Sequence, residues 1–206
     1  INCRNFTDAG IKNLSSIPNL TKLRIVECPQ IQGKSLSSLS LTSLEVAKCD
    51  NFLDAGLSSL TFLTKLKELS CIDCTQLTGA TFDQLPRHLE TVTISGCPWI
   101  TDLSVSNLLF LRKLTSLTLS FCPRVIGSTL HTLPTSIKKL NLQGCSHLMC
   151  IETVAPLSNL QFLDVSLTPI TDLYLPFLES LDIEEIVIGP CETLPYTDRK
   201  STRLNS

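Results

Sequence analysis

The sequence predicts a curved α/β solenoid: about eight stacked strand–turn–helix units, parallel strands on the concave face and helices on the convex face. Two observations carry this. A single phrase, clearest from Leu114 to Leu130 as LTSLTLSFCPRVIGSTL, recurs along the whole chain. Its copies also keep register. Aligned on the cysteine of that phrase they fall at Cys3, Cys28, Cys49, Cys74, Cys97, Cys122, Cys145, Thr168 and Cys191. The intervals are 25, 21, 25, 23, 25, 23, 23 and 23 residues, and a fixed period of that size marks a stacked-repeat architecture.

Each unit opens on a short strand. Sets such as Leu20/Leu23/Ile25, Leu66/Leu69/Cys71 and Leu114/Leu117/Leu119 put alternate apolar side chains on one face, with a polar residue between them pointing away. A turn follows the cysteine position, with Pro29, Pro98 and Pro123 directly after it. An apolar residue and a polar or glycine step come next, and Thr101-Asp102 and Thr171-Asp172 have the character of helix caps. Helix-spaced apolar residues then close the unit, as in Ala9/Ile11/Leu14 and Val105/Leu108/Leu109. One unit has nothing of its own to cover its apolar stripe, so copies must stack.

The array is expected to span residues 1–191. Because Ile1 already lies inside the pattern, the chain reads as truncated at its N-terminus. Residues 192–206, ETLPYTDRKSTRLNS, have no repeat phrase and read as a disordered or artefactual polar tail.

Of the ten cysteines, eight occupy the repeat position that tucks inward at the strand end. A small, weakly hydrogen-bonding side chain suits a place where covered backbone N–H groups need partners. Cys3, Cys28, Cys49, Cys74, Cys97, Cys122, Cys145 and Cys191, with Thr168 keeping the place through a hydroxyl, are therefore read as a structural ladder. Cys71-Ile72-Asp73-Cys74 has the spacing of half a zinc site, but both thiols already have core positions and no second such pair exists. No metal or cofactor is expected. A ladder of reduced thiols points to a cytoplasmic or nuclear setting, and no signal peptide or membrane span is legible.

Catalytic chemistry is not expected. His88, His131 and His147 fall on different sides of the unit and read as surface residues. No phosphate loop, nucleophile elbow or carboxylate pair is present, so the segment is read as not an enzyme. A net charge of −2 gives no bulk attraction to nucleic acid or membrane. The outward side of the strands remains. Its central ladder holds Arg24, Glu45, Thr93, Thr118, Asn141 and Asp164; flanking positions add Glu27, Lys48, Asp73, Phe121 and Phe162. These are the expected partner-binding residues of a monomeric, non-catalytic module that recognises proteins. Trp99, in the turn after Cys97, is read as covering the core edge or else marking a rim contact.

The phrases LTSLTLSFCPRVIGSTL, LETVTISGCPWITDLSVSNL and CRNFTDAGIKNL resemble the cysteine-containing class of leucine-rich repeats, over about residues 1–191. That class is typical of the substrate-binding halves of F-box ubiquitin-ligase subunits, in which a helical F-box segment precedes the repeats. The resemblance implies substrate recognition for such a ligase. LPRHLETVTISGC and LPTSIKKLNLQGC carry a Leu-Pro before the strand, shared with some bacterial effector repeats. An effector or scaffold that binds host proteins is thus the alternative, as is a targeting module for a catalytic domain outside this chain.

Overall fold

The computed structural model describes Cys3 and residues 5–190; the expected polar tail and Cys191 lie outside these. Eight strands form one parallel sheet in chain order: β1 Lys22–Val26, β2 Ser43–Ala47, β3 Glu68–Ile72, β4 Thr91–Ser95, β5 Ser116–Ser120, β6 Lys139–Asn141, β7 Phe162–Asp164 and β8 Glu185–Val187. The register is constant, so Arg24, Glu45, Ser70, Thr93, Thr118, Asn141, Asp164 and Val187 lie side by side across the sheet. Inward residues of the same strands, such as Leu44, Leu69, Val92, Leu117 and Leu140, are buried in one continuous core. Each unit touches its neighbours, as the repeat length requires.

The return segments are shorter and tighter than helix-spaced leucines suggest. Among the described residues only three hold α-helix: α1 Asp8–Asn13, α2 Asp54–Ser58 and α3 Asp102–Ser106. Other returns are 3-10 turns, such as Leu36–Ser38, Phe82–Gln84 and Leu130–Thr132. Interval length sorts the two kinds. Each 25-residue interval (3 to 28, 49 to 74, 97 to 122) contains an α-helix, whereas the 21- and 23-residue intervals have room only for the tighter turn. In the α-helical returns, Ala9 and Leu109 are exposed rather than packed inward.

The α-helical units are stapled to the unit that follows. Asp8 accepts from the backbone N–H groups of Gln32 (3.0 Å) and Gly33 (2.9 Å). Asp102 accepts equivalently from Ile126 (3.0 Å) and Gly127 (2.8 Å), and Asp54 accepts from the Thr78 N–H (3.2 Å) and hydroxyl (2.7 Å). The loop must turn sharply to aim those N–H groups, and Gly33, Gly79 and Gly127 adopt φ of 86°, 74° and 93° there. Aspartate and glycine thus alternate five residues after the ladder position. At Cys150 the alternation stops, and the Ile126 carbonyl accepts from Met149 and Cys150 instead.

Gly56 in α2 shows how closely units approach. A Cβ there would collide with the Gln32 carbonyl and meet the Phe52 ring at 2.7 Å. Helix propensity alone favours alanine at this position by about 1 kcal/mol. Overpacking against backbone that cannot yield costs more. Gly56→Ala is therefore expected to destabilise by about 1–2 kcal/mol, measured as a lower urea midpoint at unchanged slope.

Candidate functional site

The ladder cysteines form a column beneath the strand ends. Cys28, Cys49, Cys74, Cys97, Cys122 and Cys145 are buried, as is Thr168. As expected, the backbone N–H of one ladder cysteine bonds to the thiol of the next, from Cys28 to Cys49 through Cys122 to Cys145; the thiols also serve carbonyls. Cys49 donates to the Ala47 carbonyl (3.3 Å), Cys97 to Ser95 (3.4 Å), Cys122 to Ser120 (3.4 Å) and Cys145 to Leu119 (2.8 Å). Thr168 makes the same kind of bond to Val165 at 2.5 Å. Burial pushes the thiols of Cys74, Cys97, Cys122 and Cys145 up to about 12, so these are inert, protonated side chains. Cys3 departs from the expectation, being exposed, because no described strand lies outside β1 to cover it.

One residue before each ladder position the backbone turns left-handed. Glu27, Lys48, Asp73, Phe121 and Leu167 have φ between 50° and 56°, and Gly96 and Gly144 complete the column. This conformation costs a residue with a Cβ about 1–2 kcal/mol. It persists because the amide continues the sheet: Lys48 N–H bonds to the Ile72 carbonyl (2.8 Å), Asp73 to Ser95 (2.8 Å) and Phe121 to Gln143 (2.8 Å). The same geometry throws the side chains onto the outward face, where the Phe121 ring lies over Gly144 and the Asp73 carboxylate over Gly96.

The expected partner-binding residues fall into three zones of that face. Over the first strands Arg24 pairs with Glu45 at 2.6 Å and Lys48 with Glu27 at 3.6 Å. Both pairs are largely solvated, so each contributes roughly 0–1 kcal/mol and leaves its charges accessible. The middle is a half-buried strip through Thr93 and Thr118. Toward the last strands Phe121 is 49% exposed, and half-buried Asn141 and Phe162 line a shallow hollow of about 210 Å³ with Thr118, Lys139 and Glu185.

Asp164 is the correction. It is 7% exposed, and its carboxylate accepts from the Ser166 N–H (2.9 Å) and hydroxyl (2.6 Å) and from Asn141 Nδ2 (3.2 Å). Asn141 likewise turns back to accept from the Gln143 N–H at 2.9 Å. These side chains take the place of strand hydrogen bonds, which is why β6 and β7 stop after three residues. Asp164 is a structural tie. His88 also differs from a surface reading: it is half-buried, with Nε2 enclosed and unbonded, whereas His131 and His147 are exposed.

Trp99 does not close the core edge. It is 46% exposed on the turn rim and lies under the Arg124 guanidinium, 4.0 Å from ring centroid to Cζ. Sequence reading also passed over the strand-entry rim, where Lys65, Lys67, Arg87, Arg112 and Lys113 gather ahead of β3, β4 and β5. The signal was present as basic residues recurring just before the strand phrase. Among the described residues no group of three or more metal-ligating side chains converges, and no helix is long and apolar enough to cross a membrane.

Solved structures share this arrangement. An internalin (inlF) from Listeria monocytogenes aligns with a TM-score of 0.54 and 22% identity over 89% of this chain and 58% of its own. The chain in the TLR13–ssRNA13 complex aligns at 0.56 and 18%, over 89% of this chain and 34% of its own. The leucine-rich repeat domain of the type III effector XopL aligns at 0.55 and 19%, over 87% and 71%. The fold is a leucine-rich-repeat solenoid. The chain spans under two thirds of the internalin and TLR13 chains. No family model and no curated protein matches this sequence.

Proposed function

We propose that this leucine-rich-repeat solenoid is a non-catalytic protein-recognition module that grips its partner on the outward face of the sheet. The observation that carries this reading is the left-handed column. It holds Phe121 half-exposed on a rigid backbone at the strand-exit edge, with its ring over Gly144, and it holds the charges of Glu27 and Lys48 on the same edge over the first strands. An aromatic anchor presented without rotational freedom of the backbone is the usual core of an interface, and flanking charges give orientation. Arg24, Glu45, Asp73, Thr93 and Thr118 complete the face.

Within that class the repeat phrases favour substrate selection for an F-box-type ubiquitin ligase in the cytoplasm or nucleus, to which a column of free thiols is suited. A second reading, an effector or scaffold acting on host proteins, is supported by the fold shared with an internalin and a type III effector domain. The test is an affinity pull-down with wild type, Phe121→Ala and Arg24→Glu. Partners captured by wild type are expected to be depleted at least about tenfold with Phe121→Ala, and ligase-core subunits among them decide for the first role. Undiminished capture by both variants moves the interface off this face.

A further inference from the structure

The rim on which the strands begin holds charge that the fold does not use. Lys65 and Lys67 precede β3, Arg87 precedes β4, Arg112 and Lys113 precede β5, and Lys138 and Lys139 begin the sixth unit; all are exposed. This is half of the fourteen Lys and Arg residues within 1–190. The nearby acids are Glu68 and Glu90, and Glu90 pairs with Lys67 at 2.9 Å. A chain with net charge −2 thus keeps a concentrated positive edge.

Two hollows open side by side along that edge. One, of about 490 Å³, is walled by Lys65, Lys67, Lys113, Thr64, the half-buried His88 and Glu90, whose carboxylate pairs with Lys67 and leaves Lys65 and Lys113 uncompensated there. The other, of about 430 Å³, is walled by Leu109, Leu133 and Pro134, by Arg112, and by the polar side chains of Thr132, Thr135, Ser136 and Asn159. Arg112 and Lys113 are consecutive in one turn, which gives each hollow one cation. Next to them Phe110, 39% exposed, lies under Arg87 at 5.2 Å.

We propose that this strand-entry rim docks a short acidic polypeptide segment carrying a bulky apolar residue beside its carboxylates. The carboxylates enter the hollow between Lys65, Lys67 and Lys113, and the apolar side chain enters the one beside Leu109. Three features select this partner over a polyanion. The second hollow offers apolar surface from Leu109, Leu133 and Pro134 beside hydroxyl and amide groups. The cationic stretch runs from β3 to β6, about 15 Å at the parallel-strand spacing, which matches about five extended residues. Beyond it the same rim turns acidic at Asp182, Glu184 and Glu185, where a longer phosphate chain would be repelled. The inference deepens the protein-recognition reading and rests on it for a protein partner, but it engages different residues.

Fluorescence anisotropy with the 206-residue protein tests it. The probes are a labelled peptide of alternating Glu and Leu, its Gln-for-Glu counterpart, an oligo-dT of equal charge, and phosphatidylserine vesicles. The acidic peptide is expected to bind, more weakly as salt rises. Lys65→Glu with Lys113→Glu should weaken it at least about tenfold, as should Leu109→Ala with Arg112→Ala, while Phe121→Ala leaves it unchanged. All these side chains are solvent-exposed, so an unaltered circular dichroism melt accompanies each variant. Absence of binding overturns the proposal. So do equal binding of the Gln peptide, insensitivity to the rim variants, or tighter binding of oligo-dT or vesicles. Loss of peptide binding with Phe121→Ala alone, the rim variants being silent, overturns the rim site and leaves the outward-face reading standing.

Discussion

Above pH 9 the protein is expected to lose stability at up to about 1.4 kcal/mol per pH unit for each deeply buried ladder thiol. Burial holds the thiols of Cys74, Cys97, Cys122 and Cys145 at about 12, against an ordinary 9.0. With the folded pKa above the unfolded one, the folded chain keeps protons that the unfolded chain releases. The stabilisation is complete below pH 9 and lost as pH rises toward 12. Lysines and tyrosines titrate in the same range, so the test is a comparison. Melting temperature from pH 8 to 11 should fall less steeply in Cys122→Ala, and less again in Cys97→Ala/Cys122→Ala. Identical slopes in all three proteins would show that the column does not carry the alkaline transition.

Asp102→Ala should cost about 2–4 kcal/mol, more than the loss of an ordinary surface carboxylate. The substitution removes the acceptor for the Ile126 and Gly127 amides at 3.0 and 2.8 Å, and the Gly127 amide lies where water does not readily reach; an orphaned amide costs about 1–3 kcal/mol. It also removes a negative charge from the first turn of α3, an additional 0.3–1 kcal/mol or so. Asp102→Asn keeps one acceptor oxygen and should recover roughly half of the loss. Chemical denaturation of the three proteins checks this. Equal stability of Asp102→Asn and Asp102→Ala would mean that the hydrogen bonds, as distinct from the charge, contribute little. Because the staple joins neighbouring units, hydrogen exchange should rise first around Asp102–Ser106 and the Ile126–Gly127 turn.

Other features were readable to very different depths. Leu114, Leu117 and Leu119 with Cys122 announce strand, register and core, since a period-two pattern and a fixed repeat length each have a single geometric solution. The outward ladder from Arg24 to Val187 followed from the same alternation, and every strand pairs as that alignment requires. The α or 3-10 character of the returns was also encoded, in interval length and in the alternating Asp and Gly, but a count of apolar positions misses it. What a given outward side chain does was not legible. Asp164 and Thr118 occupy the same column of the alignment, yet Asp164 is spent on Ser166 and Asn141.

The amino-acid sequence by itself determined a stacked α/β solenoid, its strand positions, and a buried column of cysteines, because periodicity and burial are properties of spacing and residue type. Only the tertiary structure decided that those thiols donate to carbonyls, that the preceding residue is left-handed, and that basic residues some 25 positions apart meet on one rim. Each of these depends on where a neighbouring unit places its backbone, and stacking distance is not written in any single repeat.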